Sequence, residues 1–198
     1  MIDTVIFDIG NVLAEFNWDR YIHQILDDEG VIGRVNEAIW GHGLWEEFDR
    51  GVMDDEAIIA GFVSHAPEVE REIRLACARI GGCITRLDHA QPWLREVRAT
   101  GRRVLYLSNY SRIIMKGNPG ALDFLPLTHG GVFSCDVHLL KPDRAIYARI
   151  CREYGLTPSS CVFIDDVEGN VQAARDFGLN VIQCRSYEQA RADLSAML

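Results

Sequence analysis

Two patterns of apolar and polar residues divide this chain. From residue 87 onward, short apolar runs such as 103–108 and 161–165 are separated by stretches in which apolar side chains recur with helical spacing. The run Thr4-Val5-Ile6-Phe7 at the start has the same apolar, β-branched character. Regular alternation of strands and helices predicts an α/β fold with a doubly wound, Rossmann-like parallel sheet.

Residues 15–82 follow a different pattern, with helical and not alternating periodicity. Three apolar stripes have the spacing of one helix face, and each belongs to a separate predicted helix: residues 21, 22, 25 and 26; residues 58, 59, 62 and 63; and residues 69, 73, 77 and 80. We therefore predict a helical cap at 15–82, inserted into a core made of 1–14 and 83–198.

Within the core, the same patterns predict the order of the elements. Strands are expected at 103–108, 131–134, 161–165 and 181–184. Helices are expected at 92–101, from 111 with an interruption at 117–120, at 142–154 with Pro142 in the first turn, at 167–177 and at 188–198. Each cluster of polar residues considered below follows one of these strands.

Composition restricts the partners. The chain has 198 residues, 20 Lys+Arg against 29 Asp+Glu and a formal net charge of −9, so neither nucleic acid nor an anionic membrane is an expected partner. The six cysteines form no C-x-x-C pair and have no zinc-ligand spacing. With no basic leader and no apolar run of membrane-spanning length, a cytoplasmic location is expected, as a monomer or homodimer.

The candidate chemistry lies in four polar clusters that follow strands: Asp8, Ser108-Asn109, Lys141 and Asp165-Asp166. Each alone has an ordinary structural interpretation, such as a helix cap or a complement to a helix dipole. Together they contain what phosphoryl transfer to water requires. One carboxylate can act as the nucleophile, several carboxylates can hold Mg²⁺, and the lysine with Ser and Asn can bind phosphate oxygens.

These motifs, in this order, resemble the haloacid dehalogenase (HAD) superfamily, and the resemblance covers the whole chain. It implies a Mg²⁺-dependent phosphatase that acts on a small phosphorylated metabolite. Asp8 would be the nucleophile and a metal ligand, and Gly10 would offer its backbone carbonyl to the metal. The remaining implied roles are phosphate binding by Ser108 and Asn109, charge neutralisation by Lys141, and metal binding by Asp165 and Asp166, with Asn170 orienting their loop or lying on a helix surface.

One position departs from the family pattern. Family phosphatases usually carry a second aspartate two residues after the nucleophile as general acid and base, whereas this chain has Gly10. Proton transfer of that kind is worth roughly 10²–10⁴-fold in rate. The form Asp-Ile-Gly-Asn-Val resembles a subgroup that acts on sugar phosphates such as glucose 1-phosphate, whose anomeric leaving group needs less protonation. His42 and water are the substitutes considered for the missing acid.

Three alternatives remain open at this point. A protein that binds phosphate metabolites without turning them over would keep much of the site. A 2-haloacid dehalogenase also uses the aspartate and the lysine, but it needs no metal, so the Asp165-Asp166 pair disfavours it. A phosphomutase needs the acid/base aspartate, so Gly10 disfavours that activity.

Substrate choice is expected to come from the cap, because the core motifs would contact only phosphate and metal. The segment 41–51 places aromatic rings beside acidic groups and an arginine, a combination that suits a sugar. Trp45 is the candidate substrate-binding residue there, and Phe48 is expected to pack between helices. Tyr110 follows Ser108-Asn109 and either lines the pocket or begins the next turn.

Overall fold

The computed structural model describes residues 1–198, and its centre is a five-stranded parallel sheet. The strands of the protein are β1 (Thr4–Phe7), β2 (Ala14–Phe16), β3 (Ile84–Arg86), β4 (Arg103–Ser108), β5 (Gly131–Phe133), β6 (Cys161–Asp165) and β7 (Asn180–Gln183). The order across the sheet is β5-β4-β1-β6-β7, with β1 in the middle. The predicted doubly wound parallel sheet is therefore confirmed.

The helices that complete the fold lie before, between and after these strands. They are α1 (Trp18–Ile25), α2 (Glu29–Trp40), α3 (Trp45–Arg50), α4 (Asp55–His65), α5 (Glu70–Ala78), α6 (Ala90–Ala99), α7 (Arg112–Gly117), α8 (Ser134–Val137), α9 (Arg144–Tyr154), α10 (Glu168–Phe177) and α11 (Tyr187–Met197). Helices α1 to α5 follow β2 and precede β3, which is where the apolar stripes of residues 15–82 predicted a helical insertion.

The sheet is buried on both faces, as an all-parallel sheet must be. Val5 and Phe7 contribute to a large apolar cluster on one face, where the ring of Phe7 meets Trp93 edge-on at 4.8 Å. Ile6 points the other way, into a smaller cluster formed with α9 and α10. This alternation explains the uninterrupted apolar run of β1, because every side chain of the strand is buried.

The inserted helices share the large cluster. Phe48 of α3 and Ile58 and Phe62 of α4 are fully or almost fully buried in the same apolar cluster as Val5 and Phe7. At the entrance and exit of the insertion, β2 and β3 form an antiparallel pair. The sequence did not predict this pair, because both strands are short and Glu15 in β2 and Arg86 in β3 interrupt any apolar run.

Other elements also differ from the predictions. Helix α9 begins at Arg144 and not at Pro142, because Asp143 is its N-cap and accepts a hydrogen bond from the backbone N–H of Ala145 at 2.9 Å. The Lys141-Pro142 peptide bond preceding it is cis. Helix α2 was not predicted, and glycines at positions 30 and 33 dilute its apolar pattern.

The six cysteines are all buried and unpaired, which agrees with their assignment as small apolar side chains. None of the helices combines the length and the apolar character that crossing a bilayer would require.

Candidate active site

The carboxyl ends of the central strands bring the predicted polar clusters together. The four residues of β1 pair in parallel register with 103–106 of β4 and 161–164 of β6. Asp8 therefore lies level with the ends of both neighbouring strands, next to Asp165 and Ser108. In open α/β sheets, this edge at the point where the strand order reverses is where ligands bind.

Lys141 joins the two carboxylates that are buried at this edge. Its Nζ lies 2.8 Å from Oδ1 of Asp8 and 2.6 Å from Oδ2 of Asp165. The three side chains are almost completely shielded from solvent, with 8% or less of each side chain exposed. The Lys141 ammonium is therefore a positive charge buried between two negative ones at the centre of the site.

Asn109 positions this lysine. Its amide nitrogen donates to the Lys141 carbonyl oxygen at 3.0 Å, and its amide oxygen accepts from the Lys141 backbone N–H at 2.8 Å. Asn109 was predicted to bind the substrate. The structure places it on the cavity wall and also uses its amide to connect the loop after β4 to the loop before α9.

The adjacent residues Asp165 and Asp166 have different environments. Asp165 is fully buried, and its carboxylate accepts hydrogen bonds from Lys141, from the Asn170 amide at 3.1 Å to both oxygens, and from the Val167 backbone N–H at 2.8 Å. Asp166 lines the cavity, and its Oδ2 accepts from the Asn11 amide at 3.0 Å. The structure thus leaves Asp166 as the carboxylate of the pair that faces the cavity.

Burial governs the protonation of these groups. It raises the pKa of Asp8 to about 7, with Lys141 opposing the rise and Asp165 adding to it. Burial likewise raises the pKa of Asp166. Burial alone would lower the pKa of the Lys141 ammonium, but the two carboxylates outweigh it and the pKa is raised. Lys141 therefore stays charged, and the negative charge of the carboxylates exceeds the positive charge beside them.

This excess of negative charge is suited to binding a metal ion. One carboxylate oxygen from each of Asp8, Asp165 and Asp166 lies within 4.8 Å of the others. Although Oδ1 of Asp8 is close to Lys141, it is buried without an aligned hydrogen-bond donor. Gly10 lines the same cavity. Hard oxygen donors with surplus negative charge are the ligands that Mg²⁺ prefers.

A cavity of about 230 Å³ opens over these groups. One wall is formed by the predicted residues Asp8, Ser108, Asn109 and Lys141. The lining also includes six apolar or aromatic residues, Phe16, Trp45, Ile84, Tyr110, Ile114 and Val167, and further polar positions that include Asp49 and Asp166. The volume is below the roughly 300–1,000 Å³ of typical sites for drug-sized ligands. The cavity is therefore suited to a compact molecule with a charged end and a less polar end.

The candidate residues of segment 41–51 have different environments in the structure. Trp45 lines the cavity, while Phe48 is buried in the large apolar cluster, as expected. His42 does not line the cavity; it is exposed and stacks on His65, with ring centroids 3.7 Å apart. Asn170 lies within the site and holds Asp165, so it is not a residue of the helix surface.

Sequence reasoning missed two residues of the site. Asn11 adopts a left-handed backbone conformation with φ of 53° and bonds Asp166. Asp49, near the end of α3, lines the cavity together with Asp8 and Lys141. Its position within the 41–51 segment, beside Trp45, was the available signal, but periodicity does not reveal which acidic residue of that segment faces the core.

Comparison with known proteins agrees with this geometry. Residues 2–178 match the family model described as haloacid dehalogenase-like hydrolase. A haloacid dehalogenase family enzyme from Bacteroides thetaiotaomicron, solved in complex with magnesium and inorganic phosphate, superposes with a TM-score of 0.76 at 18% identity, covering 92% of this chain and 94% of that one. At that identity the likeness is one of fold.

Two curated relatives are similar in sequence. Flavin mononucleotide hydrolase 1 of Arabidopsis thaliana is 27% identical over 154 residues, which cover 77% of this chain and 61% of the relative. Phosphatase MT3486 of Mycobacterium tuberculosis (strain CDC 1551 / Oshkosh) is 28% identical over 193 residues, which cover 90% of this chain and 85% of the relative. The first name describes a hydrolase of flavin mononucleotide and the second a phosphatase.

Proposed function

Because this chain belongs to the haloacid dehalogenase-like hydrolases, we propose that it is a Mg²⁺-dependent phosphatase that hydrolyses a small phosphomonoester through an aspartyl-phosphate on Asp8. The observation that carries the proposal is the buried group of Asp8, Lys141 and Asp165 at the floor of a cavity of limited size. Phosphatase-named relatives support the same reaction class.

The chain's own residues supply the nucleophile and its positioning. Asp8 lies at the end of the central strand, where its carboxylate can attack phosphorus and form the covalent intermediate. Lys141 is held by two carboxylates and by Asn109, so its ammonium is already oriented when negative charge develops on the phosphoryl oxygens. Ser108, beside Asp8, is proposed to bind the same oxygens.

We propose that Mg²⁺ is held by Asp8, Asp166 and the Gly10 carbonyl. Asp165 would position these ligands through the residues to which it is hydrogen-bonded. When bound, the ion would neutralise the charge of nucleophile and phosphate and so allow an anion to approach a carboxylate. The hydrogen bonds support this division: those to Asp165 come from Lys141, Asn170 and Val167, whereas Asp166 faces the cavity.

Sugar phosphates are the proposed substrate class. The less polar wall near Trp45 offers a face for a sugar ring, and the cavity volume favours a compact ester. Helices α1 to α5 are proposed to act as the cap (15–82) over a core of 1–14 and 83–198 and so to select the substrate. A cytoplasmic location and a monomeric or homodimeric state remain predictions from the sequence.

A binding protein without turnover and a 2-haloacid dehalogenase are less well supported. A dehalogenase needs the nucleophile and the lysine but has no use for a third carboxylate facing the cavity, which Asp166 provides. A pure binding protein has no use for a carboxylate buried next to its counter-ion at the bottom of the cavity. Phosphate release from sugar phosphates, nucleotides and an activated aryl phosphate, measured with Mg²⁺ and with EDTA, tests the proposal directly.

Mg²⁺ removal is expected to stop turnover, and Mg²⁺ addition is expected to stabilise the protein. At a concentration 100 times its Kd, a ligand that binds only the folded state adds about 2.7 kcal/mol to the free energy of unfolding. Asp166→Asn should lose most of this stabilisation, measured as the Tm difference between Mg²⁺ and EDTA. Asp27→Asn, at an exposed position outside the cavity, is the matched control. An unchanged Mg²⁺ response in Asp166→Asn would contradict its role as a ligand.

Trp45→Ala is expected to raise KM for a sugar phosphate about 10-fold, because an aromatic contact with the organic part of the substrate is lost. Inhibition by inorganic phosphate reports the phosphate site alone, so its inhibition constant should stay unchanged in the same variant. If both constants rise together, Trp45 supports the architecture of the site and does not recognise the sugar.

A further inference from the structure

Apart from the nucleophile Asp8, the loop after β1 supplies no acidic side chain to the cavity. Gly10 has no side chain, and a Cβ built at this position would meet no atom within 4 Å. No neighbouring side chain has moved in to occupy that space. Hydrolysis of an ester with a poor leaving group nevertheless needs a proton for the departing oxygen. A group from elsewhere in the chain can therefore reach the cavity without a steric conflict at Gly10.

Asp49 is the acidic residue of the inserted helices that lines this cavity. Its carboxyl group makes no hydrogen bond or ion pair with any other side chain or backbone group, although the residue is only partly exposed to solvent. A carboxyl group that is partly shielded from water usually has a hydrogen-bond or ion-pair partner, because shielding without a partner costs free energy. An unpaired carboxyl that faces the reacting groups is available to a substrate.

We propose that Asp49 is the general acid and base of this site, taking the place of the side chain that Gly10 lacks. This assignment rests on the proposed phosphatase function. His42 does not line the cavity in this structure. The assignment identifies α3 as a catalytic element as well as a determinant of substrate choice.

The proton moves through two balanced steps. In the first, an Asp8 oxygen bonds to phosphorus, the ester P–O bond breaks, and the leaving oxygen takes the proton of the Asp49 carboxyl group. In the second, water attacks the phosphorus of the aspartyl-phosphate while the Asp49 carboxylate takes a proton from that water. The bond between phosphorus and Asp8 then breaks, which releases inorganic phosphate and restores both side chains.

The environment of Asp49 suits such an exchange. Burial raises its pKa to about 7, opposed by Lys141 and assisted by the charges of Asp8 and Glu46. A general acid works best when its pKa lies near the operating pH, because it must both lose and regain the proton during one turnover.

The core holds the end of α3 through three consecutive carbonyls. The carbonyl of Asp49 accepts from Ser134 Oγ at 2.6 Å, that of Arg50 from His138 Nδ1 at 2.9 Å, and that of Gly51 from Arg112 at 3.2 Å. These bonds satisfy groups that a helix end leaves without partners. The same Ser134 hydroxyl accepts from the backbone N–H of Tyr110, at 2.9 Å, so it links α3 to the loop that follows Ser108.

Gly51 allows this close approach. Its φ of 65° lies in the left-handed region, and a Cβ there would come within 2.7 Å of the Cys135 carbonyl oxygen. Any larger residue would push α3 away from the core. The side chain of Asp49 is therefore held over the cavity by backbone contacts, independently of any interaction of its own carboxyl group.

The test compares two esters of nearly the same shape, phenyl phosphate and 4-nitrophenyl phosphate, in wild type and in Asp49→Asn. The variant should lower kcat/KM for phenyl phosphate by about 10²-fold or more, and for 4-nitrophenyl phosphate by less than about 5-fold, because only the first leaving group needs a proton. Asp27→Asn, which removes an exposed carboxylate that does not line the cavity, should change neither value by more than about 2-fold.

Asp49→Ala is the second variant, and the Tm of both variants establishes that they are folded. Equal losses on the two esters, or no loss on either, would overturn the assignment of Asp49 while leaving the phosphatase in place. Release of phosphate from neither ester by the wild type would overturn the proposed function, and the role of Asp49 with it. A selective loss on phenyl phosphate supports the assignment.

Discussion

Asp8→Asn is expected to lower kcat for phosphate release by about 10⁴-fold or more, the order of loss seen when a covalent nucleophile is removed. Asparagine has nearly the shape of aspartate, but its amide cannot form the acyl-phosphate. In the wild type, rapid acid quenching during turnover should trap phosphate on the peptide that contains Asp8, and mass spectrometry of that peptide is the direct measurement.

The same substitution should leave the metal-free protein at least as stable as the wild type. Burial raises the pKa of the Asp8 carboxyl group from an ordinary 3.8 to about 7. Between these values the folded protein binds more protons than the unfolded chain, so ionisation of Asp8 reduces stability as the pH rises through this window. Asparagine removes that ionisation, and its Tm in EDTA at pH 8 should equal or exceed that of the wild type.

These two measurements separate a catalytic role from a structural one. The expected kcat of Asp8→Asn is about 10⁴-fold below that of the wild type. If the variant kept a tenth or more of wild-type turnover, the nucleophile would be another residue. A Tm well below that of the wild type would show that the carboxylate stabilises the fold, contrary to the effect of its burial. Asp27→Asn, at an exposed position, is the control for a neutralised aspartate.

Lys141→Met is expected to abolish turnover and also to destabilise the protein by about 3–5 kcal/mol, the cost of leaving a buried ion pair without one partner. Methionine keeps much of the length of the side chain but loses the ammonium, which lies 2.8 Å from Asp8 and 2.6 Å from Asp165. Urea unfolding in EDTA measures the change, since Mg²⁺ would replace part of the missing charge.

A double variant identifies the cause of that destabilisation. Lys141→Met combined with Asp165→Asn removes the buried carboxylate that the single variant leaves without its counter-ion, so part of the lost stability should return while activity stays absent. Lys116→Met, at an exposed position, should have little effect on stability. If the double variant is less stable than Lys141→Met, the lysine acts mainly through the packing of its stem.

Much of the site could be predicted because its parts follow strands. Asp8, Ser108 and Asp165 all stand at the carboxyl ends of apolar runs, and parallel strands meet at one edge. The position of Lys141 could be predicted in the same way, from the short strand β5 that precedes it. The residues with which Lys141 forms ion pairs could not be predicted. The fold class could be predicted for a related reason, because burial of the sheet on both faces makes each of its strands an uninterrupted apolar run.

Other features depended on contacts between distant residues. No local pattern distinguishes Asp165, which Lys141 and Asn170 enclose, from Asp166, which faces the cavity. The amide of Asn109 was assigned to a substrate because its bonds to the Lys141 backbone join segments far apart in the chain. Strands β2 and β3 are short and partly polar, and their antiparallel pairing joins segments that are far apart in the chain.

The amino-acid pattern was sufficient to establish a parallel α/β sheet. It also predicted helices within residues 15–82 and a group of carboxylates with one lysine at the carboxyl edge of the sheet. These features follow from local periodicity and from the geometry common to all parallel sheets. Which side chains then face the cavity, above all Asp49 from the inserted helices, was decided by tertiary packing. The docking of α3 onto the core depends on the close fit of Gly51 against Cys135 and on hydrogen bonds between segments that are far apart in the chain, and no local pattern encodes them.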